Sequence, residues 1–335
     1  MRKYLIALAL ILGLVFAITN FETMENVWET VRVGDWRFLI LAVFLQFVWV
    51  LNIAAEYRTI YASLGIVESL RVLFMQTLAG TFVNVVTPVA GMGSITVYLS
   101  EASRRGHSAA KAAIGSALFI FFDYSSVFSV VVLGLIVMIR RNRLTFYEVG
   151  AAFLLLGLAV IFGLLLYQGM RSTEAFEKLL LWGIRRANRL VSPFRRKELF
   201  SEQRARNFAL AAHDGFQEIR HNPNNLLRPA ALALSSKAVL ISIFFLMFLA
   251  FRVPFTPGTL IAGFAVAYLF TLISPTPGGL GVVEGLLTLA LVSLNVPFAK
   301  ATVIMLAYRG ITFWLPFFYG MLALRWLGRD PVPAA

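Results

Sequence analysis

The sequence predicts an all-α, polytopic integral membrane protein. Three observations carry that prediction. Of 335 residues, 59% are hydrophobic and only 14% are charged, whereas a soluble domain has about 45–50% apolar and about 25% charged residues. The mean hydropathy is +0.79. The apolar residues are gathered into runs, many of bilayer length, so the bilayer is the main solvent. The whole of 1–335 reads as one transmembrane domain, multi-pass in the cell (inner) membrane. The absence of cysteine excludes disulfides and thiolate sites, and His107, His213 and His221 are scattered, so no metal or other cofactor is expected. The net charge of +13 reads as Lys and Arg at membrane surfaces. It does not read as a nucleic-acid site, since no recognition motif accompanies it.

The elements follow in order. Arg2 and Lys3 precede an apolar run, Tyr4 to Ile18. It reads as a first membrane helix, with a signal peptide ending near Ala17 as the alternative. Further runs cover Phe38 to Ala55 and Leu70 to Val89, and a short amphipathic stretch ends at Arg105. Next come Ala109 to Ile139 and Val149 to Tyr167, then a basic segment, 171–228. The last runs are Ala230 to Phe251, Leu260 to Ser274, Val282 to Leu294 and Ala301 to Leu327.

Leu260–Ser274 and Val282–Leu294 are too short to cross alone, because a crossing helix needs about 20 residues. Between them stand Pro275, Pro277, Gly278, Gly279 and Gly281. Such residues interrupt a helix, and irregular backbone at membrane depth must be buried in protein or line a cavity. The pair is expected to form a re-entrant or broken-helix hairpin. Thr87-Pro88-Val89-Ala90-Gly91-Met92-Gly93 resembles Thr276-Pro277-Gly278-Gly279-Leu280-Gly281 and predicts a second such hairpin. Thr87 and Thr276, like Lys111 and Lys300, are 189 positions apart. These matches predict an internal repeat, 37–140 and 229–328. Paired interruptions of this kind point to a transporter's binding site.

With the N-terminus inside, the first hairpin enters from the inside and the second from the outside, which makes the repeat inverted. This places 171–228 in the cytoplasm. It also places Arg140, Arg141 and Arg143 outside, against the positive-inside rule. Within 171–228, Phe176, Leu179, Leu180, Ile184, Ala187 and Val191 form one helical stripe; Ala205, Phe208, Ala212, Phe216 and Ile219 form another. Arg185, Arg186 and Arg189 beside the first stripe are candidates for anionic headgroups; two packed cytoplasmic helices are the alternative.

Ionisable side chains in membrane runs cost roughly 2.5–3.5 kcal/mol each. Asp123, Lys237, Glu284 and Arg309 are therefore expected to pair or to face a hydrated cavity. Asp123 and Arg309 occupy nearly equivalent points of the two copies and would pair if the copies pack face to face. Glu284 lies in the first turn of a half-helix, where the dipole favours an acid. Exposed N–H groups there would suit a phosphate or another anion. The candidate substrate site is Pro277, Gly278, Gly279, Gly281, Glu284 and Arg309, with Asp123, Lys237, Gly91 and Gly93. No H-E-x-x-H, Walker A or G-x-S-x-G motif is present, and no enzymatic activity is expected.

The run from Ser274 to Glu284, with Pro277-Gly278-Gly279-Leu280-Gly281 at its centre, is followed by Ala307-Tyr308-Arg309. It closely resembles the lysylphosphatidylglycerol synthase transmembrane-domain family, flippase-like integral membrane proteins. In the first half only Asp123 follows the family's pattern: Ser94 stands where a glutamate is typical, and Phe119-Ile120 where Glu-Arg is. In bifunctional members this domain is fused to a soluble aminoacyl transferase; with the chain running on only to Ala335, lysyl transfer is not expected. The resemblance implies movement or binding of a phospholipid or lipid-linked sugar. The expected function is translocation of a lipid between leaflets, the partners being membrane lipids with an anionic or phosphate-bearing headgroup. The alternative is an accessory protein that docks a glycosyltransferase or lipid-modifying enzyme.

Overall fold

The computed structural model describes residues 32–87, 92–140, 146–191, 201–274 and 276–327, with residues 25, 28 and 29. The expected helix Tyr4–Ile18, Gly91, Arg141 and Arg143 lie outside the described residues. Among the described residues the chain is all α-helical. Four helical stretches are long and apolar enough to cross a membrane: Trp36–Ser63, Ala109–Arg140, Pro223–Ala250 and Phe298–Leu327. The protein is a multi-pass membrane protein.

Helix α1 is Trp36–Ser63, capped by Asp35, whose carboxylate accepts from the Arg37 amide at 3.1 Å. It runs eight residues past Ala55, the expected end, because Tyr57, Ile60 and Tyr61 bury their rings and branches in the interior. Helix α2 (Leu70–Val86) is capped by Ser69; α3 is Met92–Arg104 and α4 is Ala109–Arg140. Helix α5 (Phe146–Arg171) leads to the amphipathic α6 (Thr173–Val191) and α7 (Glu202–His221). Helix α8 (Leu227–Ala250) follows a short 3₁₀ turn. Helix α9 (Pro257–Ile273) starts on a Thr256 cap with proline in its first turn. A 3₁₀ turn, Pro277–Gly279, leads to α10 (Val282–Ser293) and then α11 (Phe298–Arg309). The expected single run to Leu327 carries a π-helical turn, Gly310–Trp314, before α12 (Leu315–Leu327).

One order of elements therefore occurs twice: a long helix, a 17-residue helix, an interruption, a 12- or 13-residue helix, and another long stretch. Helices α1 and α8 lie antiparallel. The Asp35 amide donates to the Ala250 carbonyl at 3.0 Å, and Asn52 donates to Ser235 at 2.5 Å. Helices α2 and α12 are antiparallel too, with Phe82 against Phe317 at 5.2 Å and Gly320 against the Leu78 carbonyl. So are α4 and α9: Gly134 meets Ala265, and Met138 meets Ala262. A methyl on Gly320 or Gly134 would overlap the neighbouring helix, so these glycines allow the close approach that drives packing in lipid.

Two faces of α1 show how the interior is separated from lipid. Ile40, Phe44, Phe47 and Leu51, at helical spacing, are exposed, as are Leu133, Ile136 and Ile139 of α4 and Val160, Ile161 and Leu164 of α5. Apolar surface on this scale belongs against lipid. The opposite face of α1 buries Gln46, Val50, Ile53, Glu56 and Tyr57.

Helices α6 and α7 turn their stripes toward one another and toward α4 and α5. Phe176 contacts Phe208 and Phe216 at 6.4 and 5.0 Å. The Phe216 ring lies directly on Gly169 of α5. Ala209 and Ala212 are fully buried.

Candidate functional site

The second interruption is built from glycines. Gly278, Gly279 and Gly281 adopt φ of +59°, +74° and +81°, a region that costs other residues about 1–2 kcal/mol. Gly281 is the N-cap of α10. The turn is held from outside itself. Arg309 donates from Nη2 to the Gly278 carbonyl at 2.9 Å and from Nε to Glu284 Oε1 at 2.7 Å. Its guanidinium lies 4.2 Å from the centre of the Phe313 ring. Glu284 thus pairs with Arg309 and bridges α10 to α11. Its other oxygen, Oε2, is buried without a hydrogen-bond partner. Of Pro277 only the backbone is described.

At the first interruption, Gly93 rests on the backbone of α2: a Cβ there would lie 2.5 Å from the Val83 carbonyl. Asn84 of α2 accepts from the Ser94 amide at 2.7 Å and so caps the start of α3.

A cavity of about 380 Å³ lies where the two interruptions approach each other. Trp49, Ile53 and Tyr57 of α1 form one wall. Thr77, Thr81 and Asn84 of α2 and Ser94 and Tyr98 of α3 form another. Asp123, Tyr268, Thr271 and Gly278 also line it, and Ile95, Phe119, Ile120, Tyr124, Phe162 and Leu272 complete it with largely apolar surface. Asp123 pairs with Lys237 of α8, which is fully buried and also donates to the Tyr268 hydroxyl at 3.1 Å. The Lys237 ammonium sits 4.6 Å from the centre of the Tyr268 ring. The expected Asp123–Arg309 contact is therefore corrected. α4 packs against α8 and α9, which brings Asp123 to Lys237, and α11 presents Arg309 to α10. Gly278 links the two groups, since it lines the cavity while Arg309 holds its carbonyl; Glu284 and Arg309 do not line it.

The aromatic wall is ordered by stacking. Tyr57 stacks on Tyr98 at 3.7 Å and on Phe119 at 4.5 Å, and Tyr98 exchanges a hydrogen bond with Thr77 at 2.7 Å. These residues, with Glu56, were not among the sequence candidates. A signal for Glu56 was present: Gln46, Trp49, Asn52 and Glu56 recur every three or four residues along α1.

In the basic segment, Arg185 makes a two-pronged pair with Glu202, both arms 2.8 Å. That hydrogen-bonded guanidinium holds the Glu202 carboxyl below its ordinary value. Arg185 and Arg186 line a groove with Lys178 and the exposed Trp182. The Arg189 side chain lies outside the described residues. Among the described residues, no three His, Asp or Glu side chains converge as metal ligands would.

Comparison with curated proteins finds no match. A family model for the lysylphosphatidylglycerol synthase TM region matches residues 4–320, nearly the whole chain, and the chain belongs to that family.

Proposed function

We propose that this protein is a lipid translocase of the cell's inner membrane. It would move a phospholipid or lipid-linked polar headgroup between leaflets without a covalent step. The observation that carries this reading is the cavity: polar hydroxyls, an amide and Asp123 gathered at the meeting of two helix interruptions. Its volume falls within the usual range for small-ligand sites, about 300–1,000 Å³. A headgroup would travel through it while the acyl chains stay in the bilayer, so its charge never faces bare hydrocarbon.

We read 37–140 and 229–328 as the two copies of an inverted repeat. In support, α1 and α8 hold the same place in each copy and lie antiparallel. Helix α2 packs on α12 as α9 packs on α4, so each copy gives its 17-residue helix to the other. The two interruptions would then face opposite leaflets, as alternating access needs. The N–H groups that begin α10 would receive the phosphate, Gly278, Gly279 and Gly281 giving it access to backbone. Glu284 and Arg309 would hold that turn in shape. A second reading, an accessory protein docking a lipid-modifying enzyme, is favoured by the mutual neutralisation of both membrane-depth ion pairs.

The test is reconstitution into vesicles carrying fluorescent phosphatidylglycerol in the inner leaflet. The expected result is protein-dependent appearance of the probe in the outer leaflet, reduced by Gly279→Leu. A rate equal to that of empty vesicles would overturn the reading.

A further inference from the structure

Among the described residues Glu56 belongs to no ion pair, yet it is wholly buried. Neither carboxyl oxygen has a hydrogen-bond partner among them. It sits in the last third of α1 between Ile53 and Tyr57, both of which line the cavity. The groups within electrostatic reach are Asp123 of α4, Lys237 of α8, Tyr98 of α3 and Tyr268 of α9, with Tyr57 beside it on α1.

The charge balance of this cluster is the argument. Lys237 is committed to Asp123 and Tyr268. An ionised Glu56 would leave the group one negative charge in excess, with no donor to either oxygen. An isolated carboxylate in such surroundings is costly, so Glu56 holds a proton until water or a counter-charge reaches it. A hard metal cation would need several oxygen ligands, and it would compete with an ammonium already in place. A proton needs one oxygen and no added volume.

Glu56 also lies within a column. Gln46, Trp49 and Asn52 each have a buried polar atom with no hydrogen-bond partner among the described residues. From residue 46 to residue 56 a helix rises about 15 Å, about half of a hydrocarbon thickness of about 30 Å. Buried polar atoms are ordinarily satisfied by protein or water. A row of them along one helix face offers water and protons polar partners on the way to Glu56.

We propose that Glu56 is a proton-binding site beside the cavity, reached along the polar face of α1, and that it loads and releases one proton per transport cycle. On loading, a proton joins one Glu56 carboxylate oxygen and the excess negative charge is removed; on release the O–H bond breaks and the charge returns. The coupling to transport rests on the translocation reading, but the proton site does not.

Two measurements test it. In infrared spectra of the purified protein in lipid nanodiscs, the wild type is expected to show a protonated-carboxyl C=O band that shifts in heavy water. That band should titrate with pH and be lost in Glu56→Gln. In vesicles, a pH gradient should accelerate lipid movement by wild type, and Glu56→Gln should lose that response. If Glu56→Gln does not fold, Glu56→Asp must displace the band instead. The absence of a band assignable to Glu56, or a band that never titrates, overturns the proposal. A titrating band with no lipid movement upholds the proton site and overturns the translocation reading. A titrating band with lipid movement indifferent to the gradient in wild type overturns the coupling.

Discussion

Asp123–Lys237 and Glu284–Arg309 are both carboxylate–cation pairs buried at membrane depth, but their third partners differ. Lys237 reaches a tyrosine hydroxyl and Asp123 lines the cavity. Arg309 reaches a backbone carbonyl, and neither it nor Glu284 lines the cavity. The choice of cation follows. A planar guanidinium can serve a carboxylate, a carbonyl and an aromatic face at once, whereas an ammonium acts as a point charge. One pair fixes a turn; the other sets the charge of a chamber.

The largest expected effect comes from removing the chamber's cation. Lys237→Met leaves Asp123 without its counter-charge, and breaking one side of a buried pair costs about 3–5 kcal/mol. Thermal unfolding in detergent should show a clear fall in midpoint, and Asp123→Asn combined with Lys237→Met should recover most of it. No recovery would mean that the two residues are not energetically one unit.

The turn comes next. Gly278→Ala puts a methyl into the Phe313 ring at φ +59°, a strain of about 1–3 kcal/mol. Gly281→Ala, with φ +81° and open space around its Cβ, should cost only the backbone part, about 1–2 kcal/mol. Equal losses would show that the Phe313 contact yields freely.

Charge removal without change of shape separates the pairs by function. Glu284→Gln keeps an acceptor for Arg309 but strips its buried guanidinium of a counter-charge, and should cost about 3 kcal/mol. In vesicles, Asp123→Asn should slow lipid movement more than Glu284→Gln does. The reverse order would show that the charge at the turn matters more to headgroup passage than the charge of the chamber.

The smallest effect lies outside the membrane. Glu202, held below its ordinary value of 4.5 by Arg185, stabilises the α6–α7 pairing above that value. The contribution is lost as pH falls through the lowered one. Wild type and Arg185→Gln should therefore differ slightly in unfolding midpoint near neutral pH and converge in acid. A gap that persists in acid would assign the contact to packing of the arginine stem.

The interruptions were legible because Pro and Gly at membrane depth have few alternatives, and α10 begins at Val282 as its spacing predicts. By hydropathy the apolar run beginning at Phe38 ends at Ala55, so Glu56 falls outside it. What continues the helix is tertiary packing of Tyr57 and Tyr61, which hydropathy cannot register. Asp123, Lys237, Glu284 and Arg309 could be picked out one by one by cost. Their pairing could not be read, because it depends on which helices cross at which height. The stripes of α6 and α7 were visible, but a stripe that faces lipid and one that faces a second helix have the same spacing.

The wide turn at Gly310–Trp314 separates two demands on the last long stretch. One residue added to a helix rotates everything beyond it by about 100°, a single residue's share of a 3.6-residue turn. Before the turn, α11 presents Arg309 to Glu284; after it, α12 presents Phe317 and Gly320 to α2. Excising one residue from that turn would leave Arg309 in place and swing Gly320 off Leu78. The seam between the halves is thus phased by a single amino acid, as a shim sets the meshing of two gears.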